Sequence, residues 1–154
     1  MDLKLTDRTA LISGSTAGIG LAIATTLAQE GATVIVNGRT TERVDAAISH
    51  IKQTVSDAKL QGVAADLGTQ AGALELFERV PAVDILVNNL GIYGSQAFAE
   101  ISDDEWMKFL EVNVISGVRL SRHYLSLFYH SQNSKIVRNY HKCYPESDCE
   151  RFYC

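Results

Sequence analysis

Over its first 125 residues the chain alternates short apolar runs with longer stretches whose apolar positions recur every three or four residues. Thr9–Ser13 (TALIS) is short, apolar and followed by glycines, the profile of a buried strand. Gly18–Glu30 places Ile19, Ala22, Ile23 and Leu27 at helical spacing, and Gly31 stands where a helix would stop. Thr33–Asn37 (TVIVN) is β-branched and predicts a second strand. Thr41–Ala58 predicts an amphipathic helix with Val44, Ala47, Ile48, Ile51 and Val55 on one face. Leu60–Ala65 then reads as a strand, Thr69–Val80 as a helix and Val83–Asn88 (VDILVN) as a fourth strand. Ser102 and Glu105 form a capping box ahead of one long helix through about Leu127. This order is that of βαβ units feeding a parallel sheet, an α/β class.

Beyond about Leu125 the pattern changes. All eleven glycines and every alanine lie before that point, whereas all three cysteines and four of the six tyrosines lie after it. Residues 1–125 are therefore expected to form the domain, and residues 126–154 an aberrant Cys/Tyr-rich tail in which only Lys135–Arg138 (KIVR) offers a fragment of strand. Cys143, Cys149 and Cys154 with His141 number enough for four metal ligands, but their spacing matches no finger pattern and the odd cysteine count is a poor disulfide framework. No metal site is expected. The net charge of −4 is spread without a run of either sign, which argues against nucleic acid and anionic membrane as partners. Met1 to Arg8 is too polar for a signal peptide and no apolar run reaches the length of a span, so a soluble, cytoplasmic protein is expected.

The candidate chemistry begins at Ser13-Gly14-Ser15-Thr16-Ala17-Gly18-Ile19-Gly20, between a predicted strand and a predicted helix. Gly14 lets the chain turn sharply off the strand, while Gly18 and Gly20 leave room for a pyrophosphate and for close packing of helix on sheet. The helix start then offers free N–H groups and partial positive charge to phosphates. The Gly-x-x-x-Gly-x-Gly spacing departs from the usual Gly-x-Gly-x-x-Gly, and a ligand-free strand-to-helix turn is the competing reading.

With Asn-Asn-Leu-Gly at Asn88–Gly91 and Glu-Val-Asn-Val-Ile-Ser-Gly around Asn113, this turn resembles, in order and spacing, the short-chain dehydrogenase/reductase family. The resemblance runs from about Leu5 to Leu125. It implies a Rossmann-type doubly wound parallel sheet, here of about four to five strands, and a nicotinamide cofactor contacted by Gly14, Ser15, Thr16, Gly18, Ile19 and Gly20. It also implies that Asp66 accepts from the adenine amino group beside Leu67, and that Asn88, Asn89 and Gly91 support the sheet and line the cofactor groove. On chemistry alone Asp66 serves equally as a cap for the helix at Thr69. Leu90 replaces the family's small alanine, a change expected to crowd the groove.

Where NAD-preferring folds place a ribose-binding carboxylate after strand two, this chain has Asn37, Gly38 and Arg39, with no acid before Glu42. A guanidinium grips a 2′-phosphate that a carboxylate would repel, so Arg39, aided by Ser15 or Arg43, points to NADP over NAD. The competing reading pairs Arg39 with Glu42.

The family's catalysis uses a Tyr, a Lys four residues later, a Ser and an Asn. Asn113 matches the Asn, although a mid-helix Asn bonding locally is the alternative. None of the six tyrosines is followed by Lys at the fourth position, and Ser134 precedes KIVR where the family serine would follow it. The implied parent activity is hydride transfer between NADP(H) and a small carbonyl or alcohol substrate, in a homo-oligomer. This chain is expected to be truncated or frameshifted before the catalytic Tyr and Lys and to be inactive. The alternative is a non-catalytic nucleotide-binding or interaction protein.

Overall fold

A computed structural model describes residues 3–130 and 135–138. Five parallel strands, β1 (Thr9–Ile12), β2 (Thr33–Gly38), β3 (Leu60–Ala64), β4 (Ile85–Asn88) and β5 (Lys135–Arg138), form one sheet in the order β3-β2-β1-β4-β5. The helices are α1 (Gly18–Gln29), α2 (Thr41–Thr54), α3 (Gln70–Arg79), α4 (Asp103–Leu110) and α5 (Ser116–His130). This is the Rossmann-type doubly wound sheet. The chain steps outward from β1 to β2 and β3, then returns to lay β4 on the other side of β1. The β1/β4 boundary is therefore the switch point at which such sheets open a crevice.

Both faces of the sheet are covered, so its strands are apolar at successive positions rather than alternating. Ala10 and Ile12 point to one side, where Val34, Val36 and Val87 meet Ala24 and Ala28 of α1 and Val44, Ala47 and Ile51 of α2. Leu11 points to the other side, with Ile35, Val63 and Leu86 against Leu76 of α3 and Leu120 and Tyr124 of α5. The register pairs Ala10 with Val34 on one edge of β1 and with Ile85 on the other. At the end away from the crevice Asp84 accepts from Thr9 N at 2.8 Å and pairs with Arg8 at 3.1 Å, which fixes where β4 starts beside β1.

Two predicted elements differ. The second helix stops at Thr54 instead of Ala58: Val55 caps it, and Ala58 N–H turns back to Val55 O at 3.2 Å, leading directly into β3. The long helix expected after Ser102 is interrupted. Ser102 forms its capping box with Glu105, but after Leu110 the chain widens into a π-helical turn, Glu111–Ile115, before continuing as α5. Lys135–Arg138 pairs in parallel with β4, placing Arg138 opposite Asn88. Among the described residues no helix is long and apolar enough to cross a membrane.

Candidate dinucleotide groove

The turn after β1 is held by side chains from two other places in the chain, Asn37 and Asn89. Gly14 and Gly18 adopt φ of 64° and 55°, the left-handed region that glycine enters without a Cβ penalty. Gly14 N–H donates to Asn37 Oδ1 at 3.1 Å, and Ser15 N–H donates to Asn37 O at 2.9 Å. Asn89 Nδ2 donates to both Ser13 O and Gly14 O at 3.0 Å, while Ser13 Oγ accepts from the N–H groups of Asn89 and Leu90 at 3.0 Å. Gly20 sits against this knot. A Cβ there would collide with Gly14 O and Asn89 Nδ2 and come within 3.0 Å of Ser15 Cα.

The first turn of α1 is left without a side-chain cap. Helices α2, α3 and α4 are capped by the hydroxyls of Thr40, Thr69 and Ser102, whereas Ala17 at the head of α1 offers none, and no acidic residue occupies its first turn. The N–H groups there are donors in search of an acceptor, as an anion-binding helix start requires. Beside it a cavity of about 440 Å³ is lined by Gly14, Thr16, Ile19, Gly20, Arg39, Arg43, Asp66, Leu67, Asn89 and Gly91, with Lys108 and Val112 across it. A second cavity of about 510 Å³ lies toward α5, lined by Asn88, Asn113, Ser116 and Gly117, and shares Ile19, Asn89, Leu90 and Gly91 with the first. Through these shared residues the two form one groove across the switch point.

Most of the residues expected to bind the cofactor are gathered here, but two are not at its wall. Ser15 is fully buried, and its hydroxyl is committed inward, donating to Ile12 O at 2.8 Å and accepting from Asn37 N–H at 2.9 Å. It therefore has no free hydroxyl to help Arg39. Gly18 contributes conformation, with open space where its Cβ would be. Arg39 makes no ion pair with Glu42 among the described residues. Glu42 bonds a backbone N–H and the Thr40 hydroxyl, which hold its carboxyl below the usual range. Arg39 and Arg43 are thus together at one end of the groove, with Asp66 as the nearby acid. Asp66 does not cap α3. Its Oδ1 accepts from Gly68 N–H at 3.0 Å, and the cap is Thr69 Oγ1, which accepts from Gly72 N–H at 3.0 Å. Leu90 lines both cavities.

Asn113 does not bond locally. From the π turn it reaches back to Ile92, accepting from its N–H at 2.7 Å and donating to its O at 3.1 Å, so both ends of the amide are engaged. Asn88 donates to Ser121 Oγ at 2.9 Å. The residue that sequence reasoning missed is Asn37. Only 1% exposed, it joins the glycine turn to β3 by donating from Nδ2 to Val63 O and Ala65 O at 3.2 and 3.1 Å. The available signal was an amide ending an otherwise β-branched buried strand, a place where a polar group must find partners. Tyr124 is wholly buried, its hydroxyl donates to Val80 O at 2.7 Å, and burial pushes the phenol well above its ordinary range, so it is no proton shuttle. His141 and the three cysteines lie outside the described residues. Among the described residues no cluster of metal-ligating side chains occurs.

Known proteins share this architecture. The oxidoreductase YvaG of Bacillus subtilis is 50% identical over 137 residues, which is 89% of this chain and 52% of that protein. The 3-oxoacyl-[acyl-carrier-protein] reductase of Aquifex aeolicus is 34% identical over 141 residues, 89% of this chain and 56% of its own. The chain thus spans about half the length of the curated relatives it matches. Among solved structures, L-sorbose reductase of Gluconobacter frateurii, complexed with NADPH and L-sorbose, superposes with a TM-score of 0.81 at 30% identity, covering 90% of this chain and 54% of that one. An NADP-bound 3-oxoacyl reductase of Agrobacterium tumefaciens gives 0.79 at 31%, covering 87% and 52%. The profile of the short chain dehydrogenases matches residues 8–139, from the edge of β1 through β5. Sheet order, uncapped turn and sequence all agree: the chain belongs to the short-chain dehydrogenase family.

Proposed function

We propose that the groove binds NADP(H) and that the chain is built for hydride transfer between NADP(H) and a small carbonyl or alcohol substrate. The observation that carries the cofactor choice is the pairing of Arg39 with Arg43 at the wall of the cavity that also holds the glycine turn. The uncapped N–H groups of α1 would hold the pyrophosphate, Arg39 and Arg43 the 2′-phosphate, and Asp66 with Leu67 the adenine edge. Asn88, Asn89 and Gly91 would line the nicotinamide half. When bound, NADPH would supply the hydride to a carbonyl and NADP+ would accept it from an alcohol. Asn113 keeps the Ile92 backbone in place beside that half of the groove. Two related structures that hold NADPH or NADP support the reading. Homo-oligomerisation belongs to it too, with Met107, Leu110, Val114 and Val118 of the α4–α5 region exposed.

A specific observation favours a second reading for the chain by itself. No tyrosine has Lys at the fourth position beyond it, and Tyr124 is locked in the core. A protein that binds NADP(H) with little turnover, acting as a nucleotide-binding or interaction module, fits that observation.

Titration with NADPH and NADH, followed by the fluorescence of the reduced nicotinamide, tests both. The chain is expected to bind NADPH more tightly, and R39A to lose it by about tenfold to a hundredfold while leaving NADH unchanged, since charge-assisted bonds are worth about 1.5–3 kcal/mol. Equal affinity for the two cofactors refutes the NADP assignment, and no binding of either refutes the groove. Turnover of a carbonyl substrate at ordinary reductase rates removes the second reading.

A further inference from the structure

We infer that Glu111 and Arg119 are a positioning pair that holds the π turn in its widened form and so keeps Asn113 in register with Ile92. The two residues stand at the start of the π turn and in the first turns of α5, and Arg119 Nη2 is paired with Glu111 Oε1. On an uninterrupted α-helix, residues eight apart are separated by about 80° around the axis and about 12 Å along it, so their side chains diverge. A π turn accommodates one extra residue. Arg119 then takes the place that the seventh residue would have on a regular helix, within about 20° of Glu111 around the axis. The ion pair is consequently made in the widened helix and lost in the straight one. A contact present in one of two arrangements shifts the balance toward it by its own strength.

Two further observations bear on the same turn. The Arg119 side chain is only 16% exposed, and its Nη1 is buried with no hydrogen-bond partner, which leaves Glu111 as its counter-charge among the described residues. Separating such a pair strands a charge away from water. Ser116, 2% exposed, donates its N–H to Glu111 O, five residues back, and its hydroxyl to Val112 O at 2.6 Å, a carbonyl that a regular helix would have matched with that same N–H. Straightening would rotate one side of the helix against the other by about 100°. That would carry Asn113 off Ile92 and turn Asn113, Ser116 and Gly117 away from the cavity that they line.

The inference rests on this geometry and not on the cofactor assignment. Its test is hydrogen exchange at the Ile92 amide, the donor to Asn113 Oδ1, in the full chain without ligand. E111Q is expected to speed exchange at Ile92 by about tenfold or more while leaving the Leu11 and Ile35 amides of β1 and β2 near their parent rates. The reciprocal swap E111R/R119E is expected to restore most of the protection. If E111Q does not give folded protein, R119K, which keeps the charge but loses the forked donor, is read in the same way. Unchanged exchange at Ile92 overturns the inference. So does equal acceleration at Ile92, Leu11 and Ile35, which marks general destabilisation, or a swap that restores nothing.

Discussion

Replacing Asn37 by Asp changes one terminal group and almost no volume, yet it strikes the joint between the glycine turn and β3. The Oδ1 that accepts from Gly14 N–H survives. The Nδ2 that donates to Val63 O and Ala65 O becomes a second oxygen, so two carbonyls at 3.2 and 3.1 Å lose a donor and face a carboxylate instead. At about 1–3 kcal/mol for each buried group left unsatisfied, N37D should cost about 2–6 kcal/mol. That is a large share of the roughly 5–15 kcal/mol that holds a domain together. The effect should also depend on pH. At a site 1% exposed, burial and two facing carbonyls push the new carboxyl above its ordinary value of about 3.9. The folded state then binds more protons than the unfolded one, so the variant is least damaged in acid, where a protonated carboxyl can donate to one of the two carbonyls. The damage grows as pH rises through the raised value. Urea unfolding of parent and variant at pH 5 and pH 7.5, followed by circular dichroism, measures both effects. A variant within about 0.5 kcal/mol of the parent, or a gap identical at the two pH values, would refute the reasoning.

Gly20→Ala should destabilise by about 1–3 kcal/mol although alanine is the better helix former, because the new Cβ collides with Gly14 O and Asn89 Nδ2; thermal unfolding reads the loss, and a stabilised variant contradicts it. His123 stacks on Phe77 at 3.7 Å, and burial holds its imidazole below the usual value of about 6.5, so the folded state binds fewer protons and stability falls as pH drops below that value. H123F should lose less stability than the parent between pH 7.5 and pH 5.5 in urea melts, and parallel pH profiles would remove the assignment.

Strand and helix identity was legible because the local pattern and the fold demand the same thing. Thr33–Asn37 is β-branched and its faces are buried on both sides, and α2 shows to the core the Val44, Ala47 and Ile51 that its spacing announces. The glycine turn was legible for the same reason, since φ of 64° at Gly14 is something that only a few residues supply. The π turn was not. Apolar spacing at 3.6 residues continues on either side of it, and the contact it keeps in register, Asn113 with Ile92, joins residues 21 apart. The sequence does not tell that the Ser15 hydroxyl is engaged, because Asn37 arrives from β2 to donate to it. Asn37 itself was read for what it was not, an acid, while its partners lay on a strand 26 and 28 residues away.

The amide of Asn89 holds the glycine turn from a point 75 residues further along the chain, and that distance sets an order of assembly. A growing polypeptide that has made β1, α1 and β2 possesses every glycine of the turn but not the strap that closes it. Contacts of such long sequence separation carry the loop-closure cost and form late. Until β4 slides in beside β1, the carbonyls of Ser13 and Gly14 lack their donor and Ser13 Oγ lacks the two N–H groups it serves. The glycine turn is therefore a product of completed threading, finished only when β4 takes its place beside β1.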